Sequence, residues 1–142
     1  MGIGREPKFG RLIVLILAIA AQAPDVSPSG YWVNELGSVV VLIAPCGAEA
    51  LCGTVQTAND KARADAKRGG TANLTGTELF HDFLPNGPGR WKGTVFVPDL
   101  NKRSRMEIVQ LDANRIRVRG CAVGRLICKS QVWTRTTAPS GP

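Results

Sequence analysis

Four cysteines, Cys46, Cys52, Cys121 and Cys128, are the side chains with the most chemistry to offer in this chain of 142 residues. Thiolates ligate metals or attack electrophiles, and paired thiols oxidise to disulfides. Five residues separate Cys46 from Cys52 and six separate Cys121 from Cys128, so neither pair has the Cys-x2-Cys spacing of a zinc hook. His81 is the single histidine, which leaves a mixed Cys/His metal centre short of ligands. Four cysteines allow three pairings. The closeness of each pair in sequence favours two local bridges, Cys46 with Cys52 and Cys121 with Cys128, and zinc is the competing use. In the chain-entropy view, each such short loop stabilises the fold by roughly 2 to 2.5 kcal/mol. Bridged cysteines leave no thiolate nucleophile.

Acid–base chemistry has little to draw on. Asp82 follows His81 directly, and on a regularly alternating strand the two side chains point to opposite faces, which rules them out as a dyad. Asp82, Asp99, Glu107 and Asp112 mostly sit near turns, where solvated carboxylates are common, so a pair acting as in glycoside hydrolysis is not indicated. The chain has no Gly-x-Ser-x-Gly elbow, phosphate-binding loop or dinucleotide-binding glycine pattern. The expectation is a protein that is not an enzyme and that carries no cofactor and no metal.

Cations are the remaining candidates. In Arg115-Ile116-Arg117-Val118-Arg119 the arginines alternate with apolar residues, which places them on the outer face of a half-buried strand. Lys102, Arg103 and Arg105 lie on the preceding strand, so Lys102, Arg103, Arg105, Arg115, Arg117 and Arg119 form a candidate basic patch, interrupted by Glu107 and Asp112. Such a patch would attract an anionic envelope surface or an acidic protein through its summed field, or else be an ordinary solvated face. Nucleic acid is not an expected partner for an exported chain.

Export is read from the N-terminus. Arg5, Lys8 and Arg11 precede an apolar run from Leu12 to Ala21 that ends among small residues, the layout of a secretory signal peptide covering residues 1–21. The run is about half the ~20 residues a membrane-spanning helix needs. If retained, it would anchor the protein at the inner membrane. An even cysteine count agrees with an oxidising compartment, and the expected location is the periplasm. The whole chain has a formal charge of +7 and is 44% hydrophobic, and the leader contributes to both figures. Residues 22–29 read as a disordered linker, 30–136 as one domain, and 137–142 as a flexible tail.

The elements that must position these residues are short strands. Apolar or β-branched runs recur at Tyr31–Asn34, Val39–Ala44, Leu51–Thr57, Thr77–Leu84, Trp91–Val97, Arg103–Leu111, Arg115–Cys121 and Leu126–Thr134, separated by turn residues such as Pro45-Cys46-Gly47 and Asp112-Ala113-Asn114. Short links make neighbouring strands antiparallel. The exception is the Ala- and Lys-rich segment between Ala58 and Asn73. It predicts a short helix whose periodic face carries only alanine, hence a surface crossover more than a lid.

Gly30-Tyr31-Trp32, Val39 to Ile43, Pro45-Cys46-Gly47, Leu51-Cys52-Gly53, Gly89-Arg90-Trp91-Lys92-Gly93, Phe96-Val97-Pro98, Ile116 to Cys121, and Leu126 to Arg135 follow one another in an order that resembles domain of unknown function 2147, a family of small secreted bacterial proteins. The chain departs from that pattern between Ala58 and Lys67 and at Asn101-Lys102-Arg103-Ser104. The resemblance implies an all-β, up-and-down, lipocalin-like antiparallel barrel of about eight strands with one short helical crossover. It also implies that Gly30 and Trp32 pack beside Arg135 to close one end. A barrel of this size is filled by its own side chains or holds one small ligand.

The candidate inward residues are Trp32, Trp91, Val95, Val97, Met106, Ile108, Ile116 and Val118. Two functions follow as expectations. One is a module that binds a small apolar or amphipathic ligand. The other is an interaction protein with a filled barrel that docks through its basic face on anionic envelope polymers or an acidic partner.

Overall fold

In the computed structural model, residues 27–122 and 127–140 are described. The segments read as signal peptide and most of the linker therefore lie outside the described residues. The strand pattern produces β1 (Gly30–Val33), β2 (Val39–Pro45), β3 (Leu51–Ala58), β4 (Glu78–Pro85), β5 (Arg90–Val97), β6 (Lys102–Asp112), β7 (Arg115–Ala122) and β8 (Ile127–Thr136), with one helix, α1 (Asp60–Gly69), between β3 and β4. Each strand pairs with the next, and the sheet closes as a barrel in sequence order. Closure is the antiparallel pairing of β1 with β8, in which Tyr31, Trp32 and Val33 face Thr136, Arg135 and Thr134. The architecture is the eight-stranded up-and-down barrel that the family resemblance implied, with the number of strands read from their spacing. Among the described residues no helix is long and apolar enough to cross a membrane.

Alternation decides what lies inside. Trp32, Val41, Ile43, Val55, Phe80, Phe83, Ile108 and Ile116 are at most 2% exposed, and Trp133 is 6% exposed. Strand β4 breaks the two-residue period. Its pairing with β3 shifts between Gly53 and Thr54 and again between Leu51 and Gly53, and Asp82 takes a left-handed φ of 48°. These bulges turn Leu79, Phe80 and Phe83 all toward the core. They also overturn the expected opposition of His81 and Asp82. The bulge carries the Asp82 carboxylate to 4.0 Å from Cys52 Sγ on the outer wall, while His81, aligned with Thr94, faces outward as well.

The core is aromatic and tight. Phe80 packs edge-on against Phe83 with centroids 5.6 Å apart and against Trp133 at 5.4 Å. Such pairs add about 0.5 to 1.5 kcal/mol each beyond their buried area. Two glycines make room for them. A β-carbon on Gly53 would lie 2.5 Å from Phe80 Cδ2, and one on Gly93 would lie 2.6 Å from Phe83 Cδ1.

Helix α1 is well terminated. The Asn59 side chain caps the N-terminus by accepting from the Ala62 N–H at 2.8 Å, and Gly70 ends the helix in a left-handed conformation. Asp60 lies in the first turn and Lys67 and Arg68 in the last, as the helix dipole favours. The Asn59 N–H donates to Ser38 O in the β1–β2 connection at 2.9 Å, while Gly69 packs on the Asp99 backbone and Thr71 Oγ1 donates to Pro98 O in the β5–β6 turn at 3.2 Å. Those two connections lie on opposite sides of one barrel mouth. Ten helical residues span about 15 Å, enough to bridge it. Ala66 is fully buried and Ala62 packs on the core. The segment is the expected short helical crossover between β3 and β4, and it lies as a strap across the mouth; small side chains allow a helix to lie close on the barrel rim.

Candidate functional site

The two ends of the barrel differ. At the end where β1 begins, Trp32 is fully buried and its indole Nε1 donates to Pro28 O at 2.8 Å. The Arg135 guanidinium lies 4.4 Å above the Trp32 ring. It donates from Nη1 to Ser29 O at 2.7 Å, from Nη2 to Ser27 O at 3.0 Å, and from Nε to Ala113 O at 2.7 Å. Gly30, at φ 128°, leaves the space this guanidinium fills, since a β-carbon there would meet Nη1 at 2.5 Å. Ser27 to Ser29 are therefore part of the folded domain and not linker, with Pro28 among the fully buried side chains.

The opposite end opens. Register places Val95 and Val97 of β5, Lys102, Ser104 and Met106 of β6, Gly120 of β7, and Lys129 and Gln131 of β8 on the inward face. Yet Ser104, Met106 and Gly120 are only half-buried, and Lys102, Lys129 and Gln131 are exposed. Solvent thus reaches inward-facing positions here. These positions stand above the buried side chains of Val95, Val118 and Trp133 and the half-buried Met106, and together they mark the region termed the cup. Gln131 Oε1 accepts from Trp133 Nε1 at 3.1 Å, tying rim to floor. Two lysines and a serine complete the rim.

The candidate ligand residues divide accordingly. Val95, Met106 and Val118 border the cup. Trp32, Ile108 and Ile116 lie in the sealed core, at most 1% exposed, where a ligand has no access. Trp91, aligned with Pro85 and Ile108, belongs to the closed end and is not in the cup. Lys129 and Gln131 escaped the sequence reading because a polar pair resembles a solvated face. Their even spacing from the inward Trp133 was the available signal.

The basic strands also divide. Arg103, Arg105, Arg117 and Arg119 face outward, but Lys102 aligns with Val97 and belongs to the inner rim, which removes it from the outer patch. A single-residue step along a strand switches faces. Arg115 is engaged at 2.8 Å by Asp112, whose carboxyl is held below the usual carboxylate range first by the Asn114 backbone N–H and then by Arg115. Arg103 approaches His81 Nε2 at 3.3 Å and lies 5.5 Å over the Phe96 ring, and His81 Nδ1 is 2.6 Å from Glu78 Oε1. The partner of His81 is thus Glu78, a pairing hidden until the bulges of β4 are known.

The cysteines form Cys46–Cys52 at the closed end and Cys121–Cys128 at the cup end. The Cys46, Cys52 and Asp82 ligand atoms cluster within 4.8 Å, but both sulfurs are committed to the disulfide and present no thiolate to a metal.

Comparison with known proteins agrees with this geometry. The family model for DUF2147, described as an uncharacterized protein conserved in bacteria, matches residues 30–135. The barrel is similar to a solved structure described as protein HP1028 from the human pathogen Helicobacter pylori, a member of the lipocalin family. The two share 13% identity over 79% of this chain and 84% of that one, with a TM-score of 0.60, a likeness of fold. Among curated proteins none matches.

Proposed function

Because the chain belongs to DUF2147, an uncharacterized bacterial family, we propose its function from the cup alone: it binds a small amphiphile whose apolar part rests on Val95, Met106, Val118 and Trp133 and whose anionic head meets Lys102 and Lys129. The observation that carries this reading is the gradient of exposure along the inward face, from the sealed Ile108 and Ile116 to the exposed Lys129 and Gln131. Aromatic packing fills the lower barrel, so the ligand is short. Small apolar clefts edged by a few polar groups are the usual form of such sites. The activity is binding and not catalysis. The two disulfides support a site of action outside the reducing cytoplasm. Together with the leader-like N-terminus they favour the periplasm.

Displacement of an anionic apolar dye, anilinonaphthalene sulfonate, by decanoate tests the reading. Dye fluorescence should rise on binding, fall with decanoate, and be lost in Ser104→Trp, which fills the cup from a half-buried rim position. Dye binding unchanged in Ser104→Trp would overturn the assignment.

A further inference from the structure

The outer wall carries a second, separate arrangement. Lys92 of β5, Glu107 of β6 and Arg119 of β7 stand in direct register across three strands, and Arg105 shares their face two residues along β6 from Glu107. Together with Met106 and the Gly120–Cys121 segment they line an open groove of ≈ 360 Å³. Adjacent strands lie about 5 Å apart, so Lys92 and Arg119 flank Glu107 about 10 Å from each other, a span that their long side chains can close over one small anion. Among the described residues no carboxylate lies within ion-pair distance of Lys92, Arg105 or Arg119. Glu107, only 17% exposed at its side chain, is held by Arg90 at 3.2 Å.

We propose that this groove binds a phosphate ester that carries its own hydrogen-bond donor, a hydroxyl or an ammonium, beside the phosphate. The argument is one of charge and donor geometry. A phosphate monoester bears close to two negative charges and a lipid head-group diester bears one, and guanidinium groups bind the non-bridging oxygens of either in a fork. Arg105 and Arg119 supply two forks and Lys92 a third cation. Glu107 would repel a bare anion, but it accepts from a hydroxyl or ammonium on the same molecule. Its presence among the cations therefore selects for a ligand with mixed polarity. Met106 and Gly120 border both this groove and the cup, so the two sites share part of the β6–β7 wall and are told apart by the charged side chains each one uses. Such a group occurs both on soluble metabolites and on lipid head groups.

The test is an amide-shift titration of the disulfide-bonded protein with O-phosphoethanolamine and, separately, inorganic phosphate. Saturable shifts are expected at Glu107, Gly120 and Cys121, with phosphoethanolamine binding at least tenfold more tightly than inorganic phosphate. Arg105→Ser with Arg119→Ser, both at exposed positions that tolerate polar replacement, should weaken binding at least tenfold. Glu107→Gln should erase the preference between the two probes. Lys102→Glu with Lys129→Glu should leave this binding unchanged. Sedimentation with phosphatidylethanolamine vesicles at about 0.15 M salt separates the sources. Retention that is lost in the double arginine variant assigns the group to a lipid, and binding of the soluble probe without retention assigns it to a free ester. Absence of saturable shifts with either soluble probe, or equal binding by the double arginine variant, would overturn the proposal. So would adhesion only to phosphatidylglycerol vesicles at low salt, which reports a diffuse field.

Discussion

Arg135 and Trp32 are neighbours twice over: they align across the β1–β8 seam that closes the barrel, and the guanidinium lies 4.4 Å above the indole ring. The same guanidinium gathers the carbonyls of Ser27, Ser29 and Ala113, so one side chain ties the N-terminal segment, the β6–β7 turn and the last strand together. Arg135→Ala removes a cation–π contact and three charge-assisted hydrogen bonds, and should destabilise the fold by about 3 kcal/mol. Arg135→Lys keeps the charge but not the fork, and should recover only part of that. Urea unfolding with the disulfides intact measures both.

Gly93 and Phe83 are coupled by contact. Gly93→Ala would set a methyl 2.6 Å from the Phe83 ring and 2.8 Å from His81 O. Overpacking of this kind costs about 1 to 3 kcal/mol. Combining Gly93→Ala with Phe83→Leu should cost less than the sum of the two single changes, because the smaller side chain yields the space. Additive effects in a double-mutant cycle would show that the interior is looser than described.

Acid should loosen the closed end through Asp112. Its carboxylate accepts from the Asn114 N–H at 2.9 Å and from Arg115 Nε at 2.8 Å, and it orders the turn whose Ala113 O receives Arg135. The folded-state pKa is depressed, so the contribution is fully present above the ordinary carboxylate value near 3.9 and is lost as pH falls through the folded value. Asp112→Asn should thus be less stable than wild type at neutral pH, with the gap narrowing below pH about 4. A gap that stays constant across a pH series of melting curves would contradict this role.

Reduction should weaken the barrel without rearranging it. Each disulfide closes a short loop and contributes roughly 2 to 2.5 kcal/mol. A thiol assay on the denatured, unreduced protein should find essentially none, and melting temperature should fall on adding a reductant. Detection of free thiols at all of Cys46, Cys52, Cys121 and Cys128 would remove the main support for export.

Much of the fold was legible because its signals are local. Alternation in Arg115-Ile116-Arg117-Val118 and turn residues such as Asp112-Ala113-Asn114 mark strands and hairpins without knowledge of their neighbours. The same local logic failed where tertiary packing sets the outcome. Nothing in the run around Asp82 announces a bulge, since the shift of β4 comes from fitting Phe80 and Phe83 over Gly53 and Gly93. Nor do the alanines of α1 reveal that it straps a mouth, because small residues serve exposed and close-packed helices alike. Lys102 and Lys129 were legible as charges but not as a rim, which exists only once β6 and β8 are both placed in the closed barrel.

Native mass spectrometry of the disulfide-bonded protein tests the cup most directly. A reproducible extra mass is expected, absent from Ser104→Trp and weakened in Lys102→Glu with Lys129→Glu. An apo mass alone, unchanged after decanoate is added, would contradict the cup as a binding site.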